Sequence, residues 1–178
     1  AWRLRHGIDA LPRLWQGIDI EAGWEDALES VLRERLDAVE VEDVTRSGAW
    51  FDDRPPGKLA LFGAHATPPS VAFAAPDRGL PRLVDFVQCK SPAVRPVLEE
   101  WLARVYLVED GAPALAAHDR LEPGELIVSR DGHLFTRYGI VFHAPESELH
   151  GVLSRQREIE QLRASSADRQ TALADRRR

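Results

Sequence analysis

A chain of 178 residues can bury one substantial core or two small ones. Its formal net charge of −6 excludes a global basic field for nucleic acid, so any such contact must use a local patch. Cys89 is the single cysteine, which excludes an intrachain disulfide and a cysteine-built zinc site and fits a reducing compartment.

Residues 1–22 carry Leu4, Ile8, Leu11 and Trp15 at steps of four, three and four, the spacing of a helix or coiled-coil seam. Gly7 and Pro12 interrupt it, so the segment is expected to end an arm or wrap a core surface. Trp24, Ala27, Leu28, Val31, Leu32 and Leu36 then lie on one helical face, with Glu25 and Asp26 where the helix dipole favours negative charge. Val39 and Val41 alternate with Glu40 and Glu42 and predict a short half-buried strand.

From Arg46 to Pro81 the chain is rich in Pro and Gly. Leu59–Phe62 and Val71–Ala74 are the expected strands there, kept short and near sheet edges by the prolines. Ser91-Pro92 reads as a helix N-cap followed by proline in the first turn, and Val94, Leu98, Trp101 and Leu102 form the buried face. A strand is expected at Val105–Val108 and a shorter helix at Ala112–His118. Leu126–Val128 and His133–Thr136 flank Asp131-Gly132, which predicts a hairpin whose two central residues both take positive φ. Tyr138-Gly139 leads into a last strand, Ile140–His143.

After Pro145 the composition changes. Residues 146–178 hold no Pro and no aromatic residue, and charges of both signs alternate. Val152, Ile159, Ser166 and Leu173 recur every seven, with Leu162 three after Ile159, a weak heptad seam. As one helix this stretch would span roughly 50 Å. The simpler alternative is a solvated helix packed on the domain. There is also an internal echo: V-L-R-E-R-L-D-A-V at 31–39 and V-L-E-E-W-L-A-R-V at 97–105. It reads either as two related subdomains or as the common helix-to-strand pattern met twice.

Signatures of chemistry are missing. Gly57-Lys58 has Asp52 and Leu59 where a phosphate-binding loop needs Gly and Ser or Thr. His6, His65, His118, His133, His143 and His150 form no H-x-x-x-H pair, so ordinary surface or core histidines are expected rather than a metal site. Cys89 follows Phe86-Val87 and reads as a buried small hydrophobe. Asp52-Asp53 and Asp131 read as turn residues, and no Gly-x-Ser-x-Gly elbow occurs. No catalytic residue, metal or cofactor is therefore assigned. No apolar run reaches membrane-spanning length. The absence of Met points to a fragment of a longer protein, and the near-replacement of Lys by Arg, with only Lys58 and Lys90 left, to a GC-rich coding bias.

Several stretches, in this order and spacing, resemble the hinge of a bacterial SMC (structural maintenance of chromosomes) protein. They are Leu11-Pro12-Arg13-Leu14-Trp15, Gly23-Trp24-Glu25-Asp26-Ala27-Leu28-Glu29 and Leu36-Asp37-Ala38-Val39-Glu40-Val41. Leu102-Ala103-Arg104-Val105-Tyr106-Leu107-Val108 and Ile127-Val128-Ser129-Arg130-Asp131-Gly132-His133-Leu134 follow, and Glu148-Leu149-His150-Gly151-Val152-Leu153 leads into a second arm. The resemblance covers most of residues 11–162. It implies an α+β fold of two small subdomains with mixed short-stranded sheets, about 16–81 and 82–145. A first coiled-coil arm would end at 1–15 and a second begin at 146–178, antiparallel to it, so that Leu4, Ile8 and Leu11 meet Leu149, Val152 and Leu153. It further implies a homodimer closed by two equivalent contacts, an ATPase elsewhere in the protein, accessory condensin-type subunits, and a cytoplasmic, nucleoid-associated role in chromosome condensation and segregation. Many family members carry adjacent glycines near the end of the hinge; here only Gly132 and Gly139 stand there.

Short strands with open edges invite pairing with another chain. The expected dimer interface is Gly132, Leu134, Phe135, Tyr138, Gly139 and Val141. Arg3, Arg5 and Arg13 on the entry arm and Arg155, Arg157 and Arg163 on the exit arm would combine into a basic patch for sequence-independent DNA contact. The competing readings are a coiled-coil scaffold whose globular insert binds another protein, and a small enzyme with an unrecognised site.

Overall fold

The computed structural model describes residues 2–63 and 76–144, together with 155, 156, 158, 159, 162 and 163. The entry helix α1 is only Trp2–Arg5, because the chain reverses through Gly7 at φ +68°. Ile8 is 3% exposed and packs with Trp2 and Val39, so of the two readings of this segment, Ile8 fits the one that wraps a core surface. Leu4 stays exposed. The seam's expected partners Leu149, Val152 and Leu153 lie outside the described residues, as does the strand expected at 71–74.

A 3-10 turn at Leu14–Gly17 leads into β1 (Ile18–Ile20), and α2 (Glu25–Leu32) follows. Gly23 N–H donates to the Glu25 carboxylate at 2.7 Å, and Glu25 and Asp26 supply the negative first turn. The helix stops short of Leu36 because Arg33 takes φ +50°, and the chain tightens into a 3-10 helix, Arg33–Asp37. Leu36 remains buried all the same, since this turn continues along the same core. Next come β2 (Val39–Val41), an exposed 3-10 helix (Val44–Phe51) and β3 (Leu61–Gly63), which pairs parallel to β2.

The second half repeats this plan. A 3-10 turn at Leu83–Phe86 precedes β4 (Val87–Cys89), α3 is Arg95–Trp101, and β5 is Val105–Val108. Pro12-Arg13-Leu14 and Pro81-Arg82-Leu83 enter the two units alike: Glu40 N–H donates to Pro12 O at 2.9 Å and Leu107 N–H to Pro81 O at 2.8 Å. The turns' strands then pair with each other, β1 antiparallel to β4, with Ile18 opposite Cys89 and Ile20 opposite Val87. The echo at 31–39 and 97–105 is thus one part of a larger structural repeat. Ser91 does not cap α3. Val94 holds that position and Pro96, not Pro92, occupies the first turn, where its missing N–H costs nothing.

The second half then adds α4 (Gly111–Ala117), capped by Asp110, whose carboxylate accepts from Ala112 N–H at 2.9 Å. Strands β6 (Leu126–Ser129), β7 (Leu134–Thr136) and β8 (Gly139–Val141) complete a four-stranded sheet in the order β5-β6-β7-β8. β5 and β6 are parallel; the other pairs are antiparallel. The β6–β7 turn differs from the two-residue type expected. Gly132 N–H donates to Ser129 O at 2.9 Å and only Gly132 takes positive φ, at +81°. This is a type I turn closed by a left-handed glycine, a three-residue hairpin.

One core runs through both halves, from Leu14, Leu28 and Leu32 to Leu83, Leu98 and Val128. A second cluster of Tyr106, Ile127, Phe135, Ala114 and Leu121 lies under α4. Within it Glu125, 3% exposed, receives both arms of the Arg78 guanidinium at 2.7 and 3.0 Å. Tyr106 donates its hydroxyl to Pro76 O at 2.8 Å, and burial pushes its pKa up.

Candidate interaction surface

β8 is the feature that the fold leaves unresolved. Among the described residues it is the outer strand of its sheet, bonded to β7 through the pairs Leu134–Val141, Phe135–Ile140 and Thr136–Gly139. The run Gly-Ile-Val-Phe is continuously apolar, the pattern of a strand covered on both faces. Yet Val141 is 59% exposed, Phe142 74% and Tyr138 92%, with Ile140 also exposed. An open, apolar sheet edge of this kind is a ready template for another chain.

The expected interface residues fall into two groups. Tyr138, Gly139 and Val141 lie on the open edge. Phe135 is 4% exposed, in the second core cluster, so little of its side chain faces outward in the single chain. Leu134 packs partly against the main core. Gly132 is buried in the turn, where a Cβ would stand 2.8 Å from both Asp26 O and the His143 ring. It is therefore needed within the chain. At Gly139 a Cβ would meet only Thr136 Oγ1, at 3.7 Å, an ordinary contact. Ile140 and Phe142 were missing from the expected set, although the unbroken apolar run signals them. His133 steadies the edge: its Nδ1 accepts from His143 N–H at 3.0 Å and its ring meets Phe142 edge-on.

β3 is another open strand among the described residues, paired only with β2 in its sheet. Val44 lies beside it, where a Cβ added at Gly63 would meet Val44 Cγ1 at 3.5 Å, and is exposed, as is Phe51 at the far end of the same 3-10 helix.

The arginines expected to bind DNA are dispersed. Arg13 sits 2.7 Å from Asp37 with only 15% of its side chain exposed, so its charge is paired within the chain. Arg5 pairs with Asp53 at 3.3 Å, and His6 donates from Nε2 to the same carboxylate at 2.8 Å. The His6 hydrogen bond, with help from Arg5, holds the Asp53 carboxyl below its usual range. Arg3 lines a cavity of about 460 Å³ between α2 and the end of β8, bordered also by Glu29, Arg33, Lys58 and Phe142. Arg155 and Arg163 are exposed helical residues, and Arg157 lies outside the described residues. Among the described residues no group of three His, Cys, Asp or Glu side chains is placed to hold a metal ion. No described helix is long and apolar enough to cross a membrane.

Residues 8–118 match the family model of the SMC proteins Flexible Hinge Domain. The chain belongs to the SMC hinge family. It is 42% identical over 161 residues to the Chromosome partition protein Smc of Bordetella petrii, covering 90% of this chain and 13% of that protein. With the protein of the same name from Burkholderia pseudomallei it shares 43% over 163 residues, again 90% of this chain and 14% of the relative. The chain thus spans about one-seventh of these relatives' length. Its fold is that of solved hinges. An asymmetric dimer of the Geobacillus stearothermophilus SMC hinge domain matches with a TM-score of 0.70 at 20% identity, covering 97% of this chain and 74% of that one. The Pyrococcus furiosus hinge matches at 0.58 and 18%, covering 82% and 79%. The family match ends before β6, so β8 and its exposed edge lie outside the matched residues.

Proposed function

We propose that this chain is the homodimerisation hinge of a chromosome condensation and segregation ATPase, joining two coiled-coil arms. The observation that carries it is the exposed apolar strand β8 in a chain that belongs to the hinge family. The unlike open edges β3 and β8 suit a two-fold pair in which each meets the other edge of its partner. The internal repeat supports a division into subdomains near residue 81, and the exposed helical residues Ile159 and Leu162 fit the start of a second arm at 146. No catalytic role falls to this part of the protein in this reading; the ATPase and the accessory condensin-type subunits belong with the rest of the molecule, at the nucleoid. DNA contact, if part of the role, rests on Arg3, Arg5, Arg155, Arg157 and Arg163 without Arg13.

Val141→Lys places a charge on the open edge, at a side chain that is 59% exposed in the single chain. Dimerisation is expected to weaken by about a hundredfold or more, as for loss of a hot-spot contact, while thermal unfolding of the variant stays close to that of the parent. Light scattering over a concentration series reads the first effect and circular dichroism the second. A variant that dimerises as tightly as the parent would remove β8 from the interface.

A further inference from the structure

The β6–β7 turn does more than join two strands. It is docked on the first half of the molecule. Arg130 lies with its guanidinium carbon 5.2 Å above the centre of the Trp24 ring, donates through Nε to Gly23 O at 3.1 Å, and pairs with Glu109 at 3.0 Å. Trp24 is buried and meets Phe86 edge-on, at the foot of β4. The contact therefore runs from the edge sheet through the N-terminus of α2 to the seam between the two repeats.

Two glycines make this approach possible. Gly23 has φ +88°, and a Cβ there would stand 2.8 Å from the Arg130 guanidinium. Gly132 has φ +81°, and its Cβ would stand 2.8 Å from Asp26 O, in the first turn of α2. Both positions combine a left-handed backbone with a contact that any side chain would obstruct.

We propose that Arg130 is a positioning residue that sets the angle between the open edges β3 and β8 and so lets a two-contact dimer close. This rests on the edge-pairing reading above. Two unlike edges on one chain can form a closed pair or an open run of head-to-tail contacts, and the angle between them decides which. The clamp ties the four-stranded sheet, which ends in β8, to the unit that carries β3. With it in place the second contact forms within the same pair, at high effective concentration; without it that advantage falls.

The test compares the parent chain, Arg130→Ala and Arg130→Lys by sedimentation equilibrium across a concentration series, with thermal unfolding as the check on folding. Arg130 is itself 44% exposed on its side chain, so the alanine variant is expected to fold. Its dimer should dissociate about tenfold or more readily, from lost avidity, and species heavier than a dimer should appear at high concentration. Lysine keeps a charge near Glu109 but loses the flat stack on Trp24 and the Nε bond to Gly23 O, so it should show the same change at smaller amplitude. A folded alanine variant that forms the parental closed dimer with the parental Kd overturns the proposal. Should alanine prevent folding, a lysine variant with the parental Kd overturns it equally. A monomeric parent overturns the edge-pairing reading as well, and is seen before any substitution is made.

Discussion

Replacing Glu125 by alanine is expected to cost about 3 kcal/mol of stability, at the lower end of the range for breaking a buried ion pair. The carboxylate is buried, and it gathers three elements. It takes both arms of Arg78, accepts Glu122 N–H at 2.7 Å, and lies 3.4 Å from the Tyr106 hydroxyl. The cost stays at the low end because Arg78 keeps Glu122 at 3.1 Å and a quarter of its side chain in water. For a chain of this length the midpoint of thermal unfolding should fall by about 6–12 °C. The same group carries a pH signature. Burial pushes the Glu125 carboxyl up, but the hydrogen bonds from Arg78 and the Glu122 backbone outweigh it and hold the pKa below the usual range. A carboxyl depressed in the folded state contributes stability that is full above its unfolded value, about 4.3, and is lost as pH falls through the folded value. Urea unfolding of the parent should therefore weaken progressively below about pH 4.3, and Glu125→Gln should flatten that decline. Equal slopes for parent and variant would show that the pair contributes nothing to acid sensitivity.

Gly132→Ala is expected to cost about 2–4 kcal/mol, the sum of a left-handed backbone at a residue with a Cβ and overpacking against fixed neighbours. One of those neighbours is the backbone oxygen of Asp26, which cannot swing aside as a side-chain tip can, and the other is the His143 ring. The loss should be larger than for Gly139→Ala, where the nearest atom is 3.7 Å away and φ is not positive. Denaturant unfolding of the two variants side by side checks the order. If Gly139→Ala proved the more damaging, the tight packing of the turn on α2 would not be what makes glycine necessary there.

Much of this was legible from spacing. The helical face from Trp24 to Leu32 and the strands Val39–Val41 and Val105–Val108 each carry a clear period, and the structure places them there. The strands β1 and β4 were not seen, because three residues are too few to show alternation and each pairs only with the other. Arg33 ends α2 by a left-handed turn that no glycine announces. Ile8 looked like part of an arm because helical spacing does not say what lies opposite; Trp2 and Val39 do. At the interaction surface, the exposure of Tyr138 and Val141 goes with the last short strand read from the sequence, while the burial of Phe135 was not legible because alternation gives two faces and not which one is inward. Arg13 looked like one of three equivalent cations, and only the fold brings Asp37 to it. Arg130 had no signal at all in sequence, since its partners Gly23 and Trp24 are more than a hundred residues away.

The central claim is that β8 is covered by a second copy of this chain, and the molar mass of the purified chain in solution tests it most directly. Light scattering from low to tens of micromolar should give about twice the 19.9 kDa of one chain, with dissociation on dilution. A mass of one chain throughout that range would contradict it.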